Sequence, residues 1–223
     1  MKKIIWILTI IIVTKFSFAQ TEIKGTMGIN FISIPSAQDY INQNHAPNDA
    51  QLNTFNTAVI FSGEVGYFFN KKFEMSIEIP YQIYSYTTID KTGAGQYDLY
   101  YDSFQPSVMA YYVLSGTGYN FKFGGGIGPR FIYVTEEVKW QGTEDKYSSI
   151  GFGCLLRIEA NTALSENLYA NIGGDLRYDV NGEPEDNNGE KIKNIVNNNE
   201  FVNFNSFSVG IKLGISYLIG GTN

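Results

Sequence analysis

From Ile23 onward, apolar and polar residues alternate with a period of two in eight segments separated by turn-rich stretches. A strand points successive side chains to opposite faces, so each segment has one apolar and one polar face. Ile23, Met27, Ile29 and Phe31 alternate with Lys24, Thr26, Gly28 and Asn30, and Val59, Phe61, Val65 and Tyr67 with Ser62, Glu64 and Gly66. In the third segment Phe73 to Ile83 opposes Glu74, Ser76, Glu78, Gln82 and Tyr84, and in the fourth Phe104, Val108, Ala110 and Tyr112 oppose Gln105, Ser107 and Tyr111. The second half repeats the scheme in segments built on Phe121 to Tyr133, Ile150 to Ala160, Leu168 to Tyr178 and Phe207 to Tyr217. The pattern predicts an all-β fold of eight antiparallel strands.

Ten charges fall between the ends of these segments: Glu64, Glu74, Glu78, Lys122, Arg130, Arg157, Glu159, Asp175, Arg177 and Lys212. All ten lie on the polar parity, five acids against five bases. Alternation alone fits either a soluble barrel with a polar exterior or a membrane barrel with a polar lumen. Faces rich in Gly, Ser and Asn with balanced charge suit a tight lumen, in which Glu64 and Glu78 are expected to pair with Arg157, Arg177 or Lys212. The links alternate short (Phe69 to Lys72, Ser115 to Asn120, Ala163 to Asn167) and long (Pro35 to Asn56, Asp90 to Asp102, Thr135 to Ser149, Asn181 to Asn203). Short turns on one rim and long loops on the other are the plan of outer-membrane barrels, with the short turns periplasmic. The expectation is an eight-stranded antiparallel up-and-down transmembrane β-barrel, with long loops extracellular and both termini periplasmic.

The N-terminus adds the compartment. Lys2 and Lys3 precede the apolar run Ile4 to Val13, and Ser17-Phe18-Ala19 supplies small residues at the −3 and −1 positions of a cleavage site. Residues 1–19 therefore read as a secretory signal peptide and residues 20–223 as one barrel domain. The apolar run is far short of the ~20 residues that a membrane-crossing helix needs. Removing Lys2, Lys3 and Lys15 leaves 13 basic against 22 acidic residues. Cys154 is the only cysteine, so no disulfide forms within the chain. Pro80, Pro106 and Pro129 each remove a ladder donor, and bulges or bends are expected there.

The segment Lys212-Leu213-Gly214-Ile215-Ser216-Tyr217-Leu218-Ile219 resembles the C-terminal β-signal of bacterial outer-membrane proteins: a polar residue, a glycine, an aromatic and a final hydrophobic, here Lys212, Gly214, Tyr217 and Ile219. The tail Gly220 to Asn223 departs from the many members that end on or beside the aromatic. With the alternation, the mature chain resembles the small outer-membrane β-barrel family of Gram-negative envelopes, the plan of the OmpA transmembrane domain and of OmpX. The resemblance implies contact with outer-membrane lipid and lipopolysaccharide, and insertion by the barrel assembly machinery, which reads the final strand.

Sites for chemistry are sparse. His45, the only histidine, lies in a long loop with Ser36 and Asp39 as neighbours and no motif around it, so no catalytic residue is expected. Gly124-Gly125-Gly126-Ile127-Gly128 sits inside an alternating segment rather than between a strand and a helix, and reads as small residues in a narrow lumen, not as a phosphate loop. The acidic stretch Asp179 to Glu190 lacks calcium-loop spacing, with Pro184 where that pattern needs glycine, and reads as a solvated loop. No metal or other cofactor is expected. The long loops and their margins, Asp98, Glu136 and Asp179 included, hold most of the acidic charge, which disfavours nucleic acid as a partner. The leading functional expectation is a non-enzymatic surface protein presenting acidic loops in an envelope-structural or adhesion role to an unidentified ligand. The alternatives are a narrow, porin-like pore for small solutes and a lipid-modifying enzyme.

Overall fold

The computed structural model describes residues 20–220, so the signal-peptide expectation for residues 1–19 falls outside the described residues. The elements are β1 (Thr21–Ser33), α1 (Pro35–Asn44), β2 (Asn56–Asn70), β3 (Phe73–Ile89), β4 (Gln96–Phe104), β5 (Ser107–Gly116), β6 (Tyr119–Val138), β7 (Thr143–Ala163), β8 (Leu168–Val180), β9 (Lys193–Asn194), β10 (Glu200–Phe201) and β11 (Ser206–Ile219). β4 and β5 form a single stave between β3 and β6: Phe104 pairs with Tyr81 and Phe131, while Val108 pairs with Ile77 and Ile127. β11 pairs with β1 from Thr21 opposite Ile219 to Ser33 opposite Phe207. Among the described residues, eight antiparallel staves thus close into a ring. Closure pairs the backbone polar groups along both sides of each stave, the condition for standing strands in hydrocarbon.

Tertiary structure settles which face is inside. On β11, Ile211 and Leu213 are 57% and 58% exposed, while Lys212 between them is 2% exposed. The other staves follow: apolar parity outward, charged parity buried. A belt of outward Ile, Leu, Val and Phe around a charged interior is stable in a lipid solvent and would be aggregation-prone in water. The ring is therefore a transmembrane barrel.

The loop end differs from the sequence expectation in four ways. The expected loop from Asp90 to Asp102 is short, because β4 begins at Gln96. The one from Thr135 to Ser149 shrinks to residues 139–142, because β6 and β7 pair as far as Val138 opposite Thr143. Their outer stretches are too polar to show the alternation that marks lipid-facing strands, yet the backbone ladder continues above the belt. The span Pro35 to Asn56 holds α1, and Asn181 to Asn203 holds the β9–β10 hairpin.

α1 starts with Pro35, whose fixed φ suits a first helical turn. It buries Ala37, Tyr40 and Ile41, a stripe at helical spacing. That stripe packs on Ile32, Ala58, Tyr84, Leu99, Tyr101, Ile132 and Val134, together with Ile192, Val202 and Phe204. Here the inward parity has changed from charged to apolar, so the barrel mouth is an ordinary hydrophobic core with α1 and the last loop as its lid. Of the three prolines, only Pro106 interrupts a strand, between β4 and β5. Pro80 and Pro129 stay in register opposite Ser62 and Phe152, and a register shift lies instead at Phe68/Asn70, beside a short turn.

Candidate functional site

All ten charges picked out from sequence point into the barrel and are buried. The structure brings nine of them, with Lys24 and Glu22, into two linked groups. At the turn end Lys122 bridges Glu22 and Glu74, at 2.6 Å from the latter. One layer up, Lys24 contacts Glu159 at 2.8 Å and Glu64 at 3.2 Å. Arg157 then grips Asp175 through two parallel hydrogen bonds of 2.6 and 2.9 Å, and reaches Glu78 at 2.8 Å and Glu64 at 3.2 Å. The paired geometry is the strong one for guanidinium and carboxylate. Arg177 meets Asp175 at 2.7 Å and Glu78 at 3.5 Å, and Lys212 meets the same two acids at 3.0 and 2.9 Å.

Arg130 stands apart from this network, nearer the loop end, and serves the proline cluster. Its Nε donates to Asp179, and its Nη1 donates to the carbonyls of Gly128, Pro129 and Pro106 at 3.1, 3.0 and 3.4 Å. The break at Pro106 leaves ladder carbonyls without strand donors, and the guanidinium replaces them. Gly124, Gly126 and Gly128 lie on the inward parity, where a Cβ would overlap Tyr111, Met109 and Pro106 respectively. They are glycines because the lumen is full.

Sequence reasoning missed Glu22, Lys24 and Asp179. Lys24 and Glu22 sit on the polar parity of β1, and extending the charge count to that strand would have found them. Asp179, read as a loop acid, is buried on β8, in phase with Asp175 and Arg177. Three further acids assigned to loops are also buried: Asp90, which accepts from the Thr92 hydroxyl at 2.6 Å, Asp98, which pairs with Lys139 at 2.7 Å, and Glu136, which accepts from the Tyr97 hydroxyl at 2.6 Å. Of the assembly-signal positions, Lys212 and Gly214 take the inward parity of β11, and Tyr217 and Ile219 point outward.

His45 caps the C-terminus of α1. Its partners are not the sequence neighbours Ser36 and Asp39 but Asp90, 3.3 Å from Nδ1, and the Tyr40 hydroxyl, 3.2 Å from Nε2. The ring stacks flat on Tyr97 at 3.9 Å. Burial holds its pKa below the ordinary imidazole value, against the opposing pull of Asp90. Among the described residues no three His, Cys, Asp or Glu side chains are grouped to hold a metal ion. The acidic loop instead spends its oxygens locally: Asp186 accepts from the backbone of Asn188 and Glu190, and Lys191 bridges Glu183 and Glu185.

No protein-family model matches the chain, and no curated protein does. Among solved structures it is similar to a major outer membrane protein from Thermus thermophilus, at 15% identity over 90% of this chain and 99% of that one, with a TM-score of 0.55. Weaker likenesses are Neisserial surface protein A (14% identity, 88% and 96% covered, TM-score 0.48) and Ail of Yersinia pestis in complex with a heparin analogue (9%, 89% and 99%, 0.49). At such identities the likeness speaks for the fold alone. With its lipid-facing belt, closed ring and charged interior, this chain is a small eight-stranded transmembrane β-barrel with the fold of bacterial outer-membrane proteins.

Proposed function

We propose that the chain is a closed, non-enzymatic outer-membrane protein that presents its capped loop end to the cell exterior in an interaction or envelope-structural role, with its termini periplasmic. The observation that carries this reading is Arg157, which spans the lumen from β7 to Glu78 on β3 and Glu64 on β2 while held by Asp175 on β8. A side chain anchored on several walls at once leaves no water-filled path, in keeping with the filled interiors of eight-stranded barrels. Catalysis at His45 is disfavoured by the same kind of argument. Both ring nitrogens are engaged and one ring face is covered by Tyr97, so no substrate atom has access to its lone pair. The belt contacts outer-membrane lipid and lipopolysaccharide, and β11 is the strand offered to the assembly machinery.

Planar-bilayer recording tests the closed lumen. The purified barrel should show no resolved conductance steps, and regular single-channel steps from the native chain would replace this reading with a pore. A cysteine introduced at Asn187, labelled on whole cells by a membrane-impermeant maleimide, tests the orientation.

A further inference from the structure

A groove of about 390 Å³ opens at the loop end between α1, the β9–β10 hairpin and the tops of β8 and β11. Its floor is polar and buried: Ser33, Asn194 and Ser206 are 6%, 4% and 4% exposed. On its rim stand Tyr178 and Phe207, cross-strand partners on the lipid-facing parity where β8 and β11 leave the belt. The groove therefore faces sideways, just above the level of the membrane surface.

The hydrogen bonding of its lining decides what it can hold. Asn205 accepts through Oδ1 from the backbone of Asn181 and Gly182, and Asn203 accepts through Oδ1 from the backbone of Asn205. With both oxygens committed, the two Nδ2 groups remain as donors. Glu200 accepts from Asn197 through Oε2 and keeps Oε1, and Asp39 enters none of the ion pairs among the described residues. Amide donors beside carboxylate acceptors match adjacent hydroxyls, each of which donates and accepts. The two carboxylates repel phosphate, sulfate and uronate. Nearby Lys191 and Lys193 lie over the Phe201 ring, at 5.3 and 5.8 Å from its centroid, rather than lining the groove. The volume is at the small end of ligand sites, roughly 300–1,000 Å³, with space for about one or two sugar rings.

We propose that this groove binds a neutral saccharide: Asp39 and Glu200 accept from its hydroxyls, Asn203 and Asn205 donate to them, and Tyr178 covers the apolar face of a ring. This rests on the reading of the cap as a surface for interaction. The same chemistry is offered by a free glycan and by the sugar headgroup of a glycolipid in the leaflet beside Tyr178.

The test uses the full mature barrel in nanodiscs of phosphatidylethanolamine and phosphatidylglycerol, prepared without sugar-based detergent. The side-chain amide resonances of Asn203 and Asn205 are followed while methyl glucoside, methyl galactoside and lactose are added in solution. In a second arm, glucosyl diacylglycerol is mixed into the nanodisc. Saturating shifts in either arm are expected, and the arm that responds identifies the source. Asp39→Ala, which removes an exposed carboxylate, should weaken the response at least tenfold without changing heat-modifiable migration, and Glu200→Gln should weaken it too. No shift in either arm, equal binding of glucose 6-phosphate, or undiminished binding by a folded Asp39→Ala barrel would overturn the proposal. Conductance reports on the lumen and sugar binding on the cap, so the two readings fail separately.

Discussion

Glu78→Gln is the most direct perturbation of the lumen, because it removes one charge and almost no volume. Glu78 is fully buried and lies within 3 Å of Arg157 and Lys212 and at 3.5 Å from Arg177. The layer around it holds Glu64, Glu78 and Asp175 against Arg157, Arg177 and Lys212, so the substitution leaves two carboxylates facing three bases. Three contacts at this range sum to a gross attraction on the order of 10 kcal/mol at an effective dielectric of ~20. Removing the carboxylate also removes its own desolvation penalty, and the net cost of breaking a buried pair is about 3–5 kcal/mol. Gln keeps one acceptor oxygen but turns an amide donor toward guanidinium donors, which places the expected loss near the lower bound, about 3 kcal/mol. Urea titration of the barrel in lipid vesicles, read by heat-modifiable electrophoresis, measures it. The companion variant Glu78→Gln/Lys212→Met restores the charge balance and should recover more than half of the loss. A single variant within about 0.5 kcal/mol of wild type, the size of an ordinary surface substitution, would mean that these charges are solvated individually and that the network does not hold the lumen shut. Additive effects in the double variant would sink the coupling in the same way.

Other substitutions probe the remaining parts. Arg130→Met strips donors from the Pro106, Gly128 and Pro129 carbonyls and leaves Asp179 unpaired, for an expected loss of about 3–5 kcal/mol that Asp179→Leu should partly restore in the same titration. Leu156, outward on β7 and 64% exposed, faces lipid; Leu156→Arg should cost ~2–4 kcal/mol near mid-bilayer, and a value near zero would contradict the facing of that stave. The cap should loosen in acid. With the folded pKa of His45 below the unfolded value of about 6.5, the unfolded cap binds the proton more tightly, so cap stability is greatest above that pH and declines as the pH falls through 6.5 toward the folded pKa. The protection of the amides around Ile41 and Ala46 against hydrogen exchange, corrected for the intrinsic pH dependence of exchange, should fall between pH 7.5 and 5.5 in the native chain and not in His45→Gln.

The period-two pattern carried the strands, their number and their parity, because a strand exposed to two different environments must alternate whatever its neighbours are. Lys212 between Ile211 and Leu213 shows how local that signal is. The pattern could not say which parity faced inward, since alternation is symmetric between a soluble and a membrane barrel; the burial of Lys212 between the exposed Ile211 and Leu213 in the closed ring decided it. The pattern also failed where the environment changes. Above the belt Ile132 and Val134 occupy the inward parity that Arg130 holds below them, so a single parity rule fits only the part of the chain in lipid. The pairings were half legible: charge balance requires Glu78 to meet a base, but that the partner is Arg157, shared with Asp175 and Glu64, depends on strands distant in sequence. His45 makes the same point. Its neighbours in sequence are Ser36 and Asp39, and its neighbours in space are Asp90 and Tyr97, brought to it only when α1 folds down onto the barrel mouth.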